Sequence, residues 1–322
     1  MRHFFFCCFF VIFITSCKTD SKKNLVSIDQ KYLLHNLEII SHDSLEGRLF
    51  GSKGNHKTQN FIAQQFKKLG IPAAFTDSYI QSFPYTFEGK KRQEIHPIVY
   101  PNEDFSNVPD TTLIGGNVVA MLPGKIEKSI VVTGHLDHLG VLKGRIYNGA
   151  DDDASGAAAL LTIAKYFKKH PTKHTLIFAA VDGEEVGSLG CDFLLDNFPT
   201  NVKTISLNIN MDMIGRNDDN EIYACGLYHY PQLKTPLDGL QPDIKLLYGH
   251  DDPYNRSLED WTDSSDHREF HKRGIPFVYF GVEDHKDYHK PTDTFENIQP
   301  EFYTNAVKLV IQAIAAFDTY LD

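Results

Sequence analysis

The stretch 174-HTLIFAAVDGEE-185 sets the reading of the chain. After His174 and Thr175 the run is apolar to Val181, too short for an independent helix and bounded by turn residues, which predicts a buried strand. It stops at Asp182-Gly183-Glu184-Glu185. A strand without polar alternation belongs inside a sheet covered on both faces, and such sheets are largely parallel. The carboxylates then stand at a strand's carboxyl end, where open α/β sheets bind their ligands.

Working outward, the pattern repeats. 129-SIVVTG-134 runs into His135-Leu136-Asp137, and 203-KTISLNINM-211 into Asp212. 275-IPFVYFGV-282 runs into Glu283-Asp284-His285-Lys286-Asp287-Tyr288-His289. 116-GNVVAML-122 is a further short strand, and Tyr79 to Tyr100 alternates as strands do, with a loop from Pro101 to Asp110. Between them lie helical stretches: 154-ASGAAALLTIAKYFKKH-170, 188-SLGCDFLLDNF-198, 266-DHREFHKRG-274 and a closing helix over 300–321. Upstream, Leu33, Leu34, Leu37 and Ile40 share one helical face, and a second helix ends at Gly70 as a C-cap. The expectation is an α/β protein: a mostly parallel, mixed central sheet with helices on both faces, a three-layer sandwich.

The first seventeen residues, MRHFFFCCFFVIFITSC, are a different material. Phe4 to Ile14 is too short for a permanent span and fits a signal-peptide core. Small residues lead to Cys17 where the run stops, a pattern that resembles a bacterial lipobox. Residues 1–17 then read as a lipoprotein signal, 18–23 as a tether, and 24–322 as one catalytic domain. The chain is expected to be exported and held at the cell envelope, periplasmic or outer-membrane face, only through lipid on Cys17. Cys191 and Cys225 remain, read as two buried thiols. The net charge of −10 over 322 residues, with no basic stripe, argues against nucleic acid as a partner. Nothing in the sequence fixes the oligomeric state.

Five segments would thus bring carboxylates and imidazoles to one rim, with 148-NGADDDASG-156 opening the helix after the first strand end. Unpaired, those charges would repel and raise one another's pKa; a divalent cation reverses that. Two His with three carboxylates suit zinc, with manganese or cobalt as other occupants, and suffice for two metals sharing a carboxylate. On Glu184 and Glu185 the side chains point apart, so one can bind metal while the other reaches a water. Which loop His serves is open from spacing: His138, His267, His271, His285 and His289 all stand near the loops.

The motifs GHLDHLG, NGADDDASG, DGEEVGSLG, NINMDMIGR and DYHKPTDTFENI, in this order, resemble the family 28 metallopeptidases, the co-catalytic zinc aminopeptidases. The segment LEGRLFGSKGNHKTQNFIAQQFKKLGI is similar to that family's N-terminal segment. The resemblance implies a zinc-exopeptidase (phosphorylase/hydrolase-like) fold, two Zn2+ per chain, and peptide substrates with a free N-terminus. Position by position it implies that Asp152 bridges both metals. His135 and Asp212 complete one site, Glu185 and His289 the other. Glu184 is the general base toward a metal-bridging hydroxide, Asp137 orients the His135 ring, and Tyr288 is a candidate donor to the oxyanion. The Asp152–Asp153 peptide is implied to be cis, Asp153 to sit at the helix start, and Asp151 has no assigned role. Trp261-Thr262-Asp263-Ser264 departs from the pattern by lacking a Tyr before Ser-Asp-His, which leaves the oxyanion donor and the side-chain pocket open. About fifty residues separate Phe83 from His135, too few for the protease-associated insertion of larger relatives. The alternative on the same fold is a glutaminyl cyclase with one zinc, though GADDDASG and HLDHLG look like the peptidase versions. A binding lipoprotein without catalysis is the third reading; the intact base and ligand set oppose it.

Overall fold

The structure, a computed structural model, is described over residues 26–76, 78–89 and 108–322. The leader, Cys17, the tether, the second half of the Tyr79–Tyr100 stretch and most of the following loop lie outside the described residues. No helix among the described residues is long and apolar enough to cross a membrane.

The chain opens with helices α1 (Gln30–Ile40) and α2 (Lys53–Leu69). Asp29 caps the first by accepting from Tyr32 N–H, and Gly70 ends the second in the left-handed region at φ 62°. Strands β1 (Ile80–Phe87), β2 (Thr111–Leu122) and β3 (Ile126–His135) follow. A small hairpin, β4 (Gly140–Leu142) with β5 (Arg145–Tyr147), precedes α3 (Ala154–Phe167). Then come β6 (His174–Val181), α4 (Leu189–Asp196), β7 (Ile205–Met211), β8 (Glu221–Cys225), α5 (Lys234–Asp238) and β9 (Lys245–Tyr248). Helix α6 (His267–Lys272), β10 (Phe277–Gly281) and α7 (Pro300–Tyr320) close the chain.

One eight-stranded sheet carries the order β1-β2-β6-β3-β7-β10-β8-β9. Its centre, β6, β3, β7 and β10, is parallel, as is the β8–β9 pair. β1 and β2 are antiparallel additions on one side, and β8 runs antiparallel to β10 on the other. β8 and β9 are not among the strands expected from the sequence. They are short, and they extend an edge rather than the buried centre, so no long apolar run marks them.

The continuous apolar runs have a physical reason. Ile130 and Val132 of β3 pack into one layer with α1, α2, α3 and α7. Val131 between them packs on the other face, against Cys191 and Leu194 of α4 and Phe270 of α6. Both faces are dry, so no alternation survives. From β3 the chain steps to β6 on one side and then crosses to β7 on the other. The order therefore reverses beside β3, and a crevice at the carboxyl ends is the topological result. Gly156 lets the start of α3 approach β7 there, since a Cβ on it would lie 2.6 Å from the Met211 carbonyl.

The N-terminal segment is tied to this rim by Arg48, whose side chain is wholly buried. Its Nε donates to the Leu136 carbonyl at 2.8 Å, Nη1 to Ile40 at 2.9 Å and to Asn148, and Nη2 to Gly149 at 2.9 Å. One guanidinium thus fixes the turn after β3 to the turn before the three aspartates. Removing it leaves several buried carbonyls without donors, each costing about 1–3 kcal/mol. Arg48→Met is expected to lower unfolding free energy by about 3 kcal/mol or more, read from urea denaturation. A loss under about 1 kcal/mol contradicts the assigned role.

Candidate metal centre

Each candidate ligand stands where the fold ends an element. His135 is the last residue of β3, Asp212 follows β7, and Glu184-Glu185 follow β6 by way of Asp182-Gly183. Asp152 lies just before α3, and His289 on the loop after β10. The fold brings these together around Asp152. Its Oδ1 lies 3.1 Å from His135 Nε2, and its Oδ2 3.0 Å from His289 Nε2. His135 Nε2 is also 3.6 Å from Asp212 Oδ1, and His289 Nε2 3.5 Å from Glu185 Oε2.

These separations carry information. Two ligands on one tetrahedral zinc, with bonds of about 2.0–2.1 Å, sit about 3.3 Å apart. All four contacts bracket that value, two on each side of Asp152. His135 Nε2 and Asp212 Oδ1 are moreover buried without a hydrogen-bond partner. Buried polar atoms are rarely left so, and a donor set of imidazole nitrogen and carboxylate oxygen fits a zinc-type cation.

The neighbouring carboxylates are occupied. Asp153 lies within 4.8 Å of the His135–Asp212 pair, but its oxygens accept from His135 N–H at 3.0 Å, Gly156 N–H at 2.8 Å and Met213 N–H at 3.3 Å. It is the N-cap of α3, as expected at the helix start, and the Asp152–Asp153 peptide is cis. Asp151 accepts from Gly215 N–H at 2.6 Å and faces His285 Nε2 at 3.0 Å, tying two loops together. Asp293, from the PTDTFENI motif, accepts from the N–H groups of Asp151 and Asp152. Arg216 and Thr292 hold Asp287, two residues before His289.

Asp137 acts at two places. Its main-chain carbonyl, at 3.2 Å, is the atom in reach of His135 Nδ1, while its carboxylate stands 3.7 Å away. The contact that orients the ring is therefore made by the carbonyl. The carboxylate instead accepts from Glu184 N–H at 3.1 Å and Glu185 N–H at 3.3 Å. Asp182 steadies the same turn by accepting from Asn55, Gln59 and Gly116. Burial pushes its carboxyl up to about 8, against the pull of those donors.

The charges divide sharply. Burial raises Asp152 and Glu185, yet the imidazoles of His138, His135 and His289 outweigh it for Asp152 and hold it well below the usual range. Glu185, raised by burial and by Asp152, is drawn down to about 2, chiefly by His138. Burial opposes the charge on His289, but Asp152 and Glu185 lift it to about 11. Glu184 goes the other way: burial, then the charges of Asp266, Glu185 and Asp212, raise it well above a normal glutamate despite His135. Adjacent glutamates thus differ in kind, one held as a carboxylate and one favouring its proton, the contrast an acid–base residue needs.

A cavity of about 210 Å3 opens above the cluster. Asp152, Glu184, Glu185, Asp212 and His289 line it, with Tyr288. Trp261 and Tyr279 form aromatic wall, Glu259 and Asp284 add carboxylates, and no Lys or Arg among the described residues lines it. Tyr288 stacks on His289 with ring centroids 3.9 Å apart, and burial and nearby carboxylates keep its phenol protonated.

Of the competing histidines, His285 pairs with Asp151, His267 contacts the Trp261 carbonyl, and His271 meets Tyr230 OH. None of these faces the cluster. His138 does, which spacing alone did not reveal. Asp266 of the SSDH stretch is wholly buried, both oxygens lack partners, and burial lifts it to about 7. Cys191 and Cys225 are buried free thiols.

The sequence model described as peptidase family M28 matches residues 117–314. Among curated proteins, the chain is 29% identical over 203 residues to the alkaline phosphatase isozyme conversion protein of Escherichia coli, covering 59% of this chain and 51% of that one. It is 28% identical over 200 residues to aminopeptidase YwaD of Bacillus subtilis, covering 58% and 40%. The chain therefore matches about half or less of these relatives' length. Among solved structures, an aminopeptidase from Aneurinibacillus sp. strain AM-1 superposes with TM-score 0.68 at 18% identity, covering 89% of this chain and 93% of that one. A glutaminyl cyclase from Fimbriiglobus ruber superposes with TM-score 0.65 at 16% identity, covering 90% and 96%. Both show the fold.

If the rim is built to be neutralised by a cation, cation binding must stabilise the native state. Saturating zinc is expected to raise the melting temperature of chelator-treated protein by about 5 °C or more, read by scanning calorimetry. Equal melting temperatures with zinc and with chelator would sink that reading.

Proposed function

The chain belongs to peptidase family M28, and on that premise we propose that it is a zinc-dependent exopeptidase, most closely an aminopeptidase acting on peptides with a free N-terminus. The observation that carries this reading is the placement of Asp152, each oxygen about 3 Å from a different imidazole. In the proposed assignment Asp152 is shared between two zinc ions, with His135 and Asp212 on one side and Glu185 and His289 on the other. Bound zinc supplies Lewis acidity toward the scissile carbonyl and lowers the pKa of water.

The chain's own residues do the rest. Glu184 lines the cavity, is not needed as a ligand, and has a raised affinity for a proton. It takes a proton from the attacking water and delivers it to the leaving amine. Asp137 fixes that residue by holding its main-chain N–H. Tyr288, kept protonated, is placed to donate to the oxygen that gains charge. The substrate's α-ammonium enters a cavity with carboxylates on its wall and, among the described residues, no Lys or Arg to compete with it.

The glutaminyl cyclase reading shares the fold. The two-sided arrangement around Asp152 supports the peptidase, because a one-zinc enzyme has no use for a second half-site.

The test uses zinc-loaded protein and aminoacyl p-nitroanilides. Hydrolysis is expected with free amino termini and not with N-acetylated ones. Glu184→Gln should lower kcat by about 10^2–10^4-fold while zinc content stays at the wild-type value. Cleavage of blocked substrates alone, or full turnover in Glu184→Gln, would refute the assignment.

A further inference from the structure

His138 is not required by the ligand set above, yet it is wholly buried beside it. Its Nδ1 lies 2.6 Å from Glu185 Oε1 and 3.8 Å from Asp152 Oδ2. Its main-chain N–H reaches the Arg48 carbonyl at 3.4 Å. Gly149 makes room for the ring, since a Cβ there would lie 2.4 Å from the imidazole Cγ. A ring so enclosed loses its hydration, and neither of its nitrogens has a well-formed hydrogen bond.

The spacing separates two roles. Ligands sharing a tetrahedral zinc stand about 3.3 Å apart, and the contacts of His135 and His289 with their carboxylates run from 3.0 to 3.6 Å. At 2.6 Å the His138–Glu185 approach is too close for two ligands of one ion. It is close to the separation of a charge-assisted contact between an imidazole and a carboxylate. The other oxygen of Glu185, Oε2, is the one that faces His289.

We propose that His138 is a positioning residue: it holds Oε1 of Glu185 and so leaves Oε2 as the single oxygen offered to the cation. The inference rests on the reading of Glu185 as a ligand. The geometry also explains the sequence HLDH. His135 points its Nε2 at one half-site, and three residues later His138 braces the carboxylate of the other.

The experiment compares wild type, His138→Ala and His138→Gln by zinc competition against a chromophoric chelator, with the visible spectrum of the cobalt form as a second readout. His138→Ala should weaken one of the two zinc sites by about 10–100-fold and leave the other unchanged. A loss confined to one site separates a brace from general destabilisation. In His138→Gln the side-chain amide can donate to Oε1, so its affinity should return toward wild type. The cobalt spectrum of that variant should keep the wild-type band positions. Should His138→Ala not fold, His138→Asn takes its place, because its shorter amide does not span the gap. Unchanged affinity in His138→Ala or His138→Asn overturns the proposal. So does a glutamine variant no better than alanine with a shifted cobalt spectrum, which would make His138 a ligand. If wild type itself binds no zinc, the ligand reading of Glu185 fails instead.

Discussion

The structure depends on burying carboxylates at one rim of a sheet without letting them repel the fold apart. Asp137, Asp151, Asp152, Asp153, Asp182, Asp212, Asp266 and Asp293 are all buried there. A buried anion without a partner is unstable, so each must be satisfied by N–H groups, by an imidazole, or by a proton. The fold uses all three. Main-chain N–H groups take up Asp137, Asp153 and Asp293. Imidazoles face Asp152 and Glu185, and burial raises the proton affinity of Glu184 and Asp266. The oxygens still without a hydrogen bond include Asp212 Oδ1, and that residue lines the cavity. Selective saturation of this kind turns an acidic rim into a directed donor set.

The three consecutive aspartates divide that work. Asp151 points away and joins the loops of Gly215 and His285. Asp152 points inward between two imidazoles. Asp153 turns back to cap α3 and hold the end of β3. Like charges on adjacent residues are tolerated because each is sent in a different direction to a different partner.

Much of this was legible in the sequence. Apolar runs ending in Asp, Glu or His located β3, β6, β7 and β10, because strands dry on both faces leave an unbroken signal. The two strands beyond β10, β8 and β9, were not, because short strands away from the buried centre leave no such run. The inward-facing residues His135, Asp152, Glu185, Asp212 and His289 were named in advance. Arg48, Asn55 and Gln59 lie in the family-like N-terminal segment, where the sequence alone assigns them no task. Their task, joining that segment to the rim, depends on contacts over 88 to 127 residues of sequence, which local pattern cannot reveal. His138 stood among several histidines, and only the distance to Glu185 distinguishes it. The family likeness implies that Asp137 orients the His135 ring without saying by which atom. Which atom is used follows from the turn geometry after β3, and residue type does not determine it.

The central claim is that the rim holds two cations that share Asp152. Anomalous diffraction from crystals grown with zinc, recorded at the zinc absorption edge, tests it directly. Two peaks per chain are expected on opposite sides of Asp152, one against His135 and Asp212 and one against Glu185 and His289. A single peak, or any peak whose ligands exclude Asp152, would contradict it.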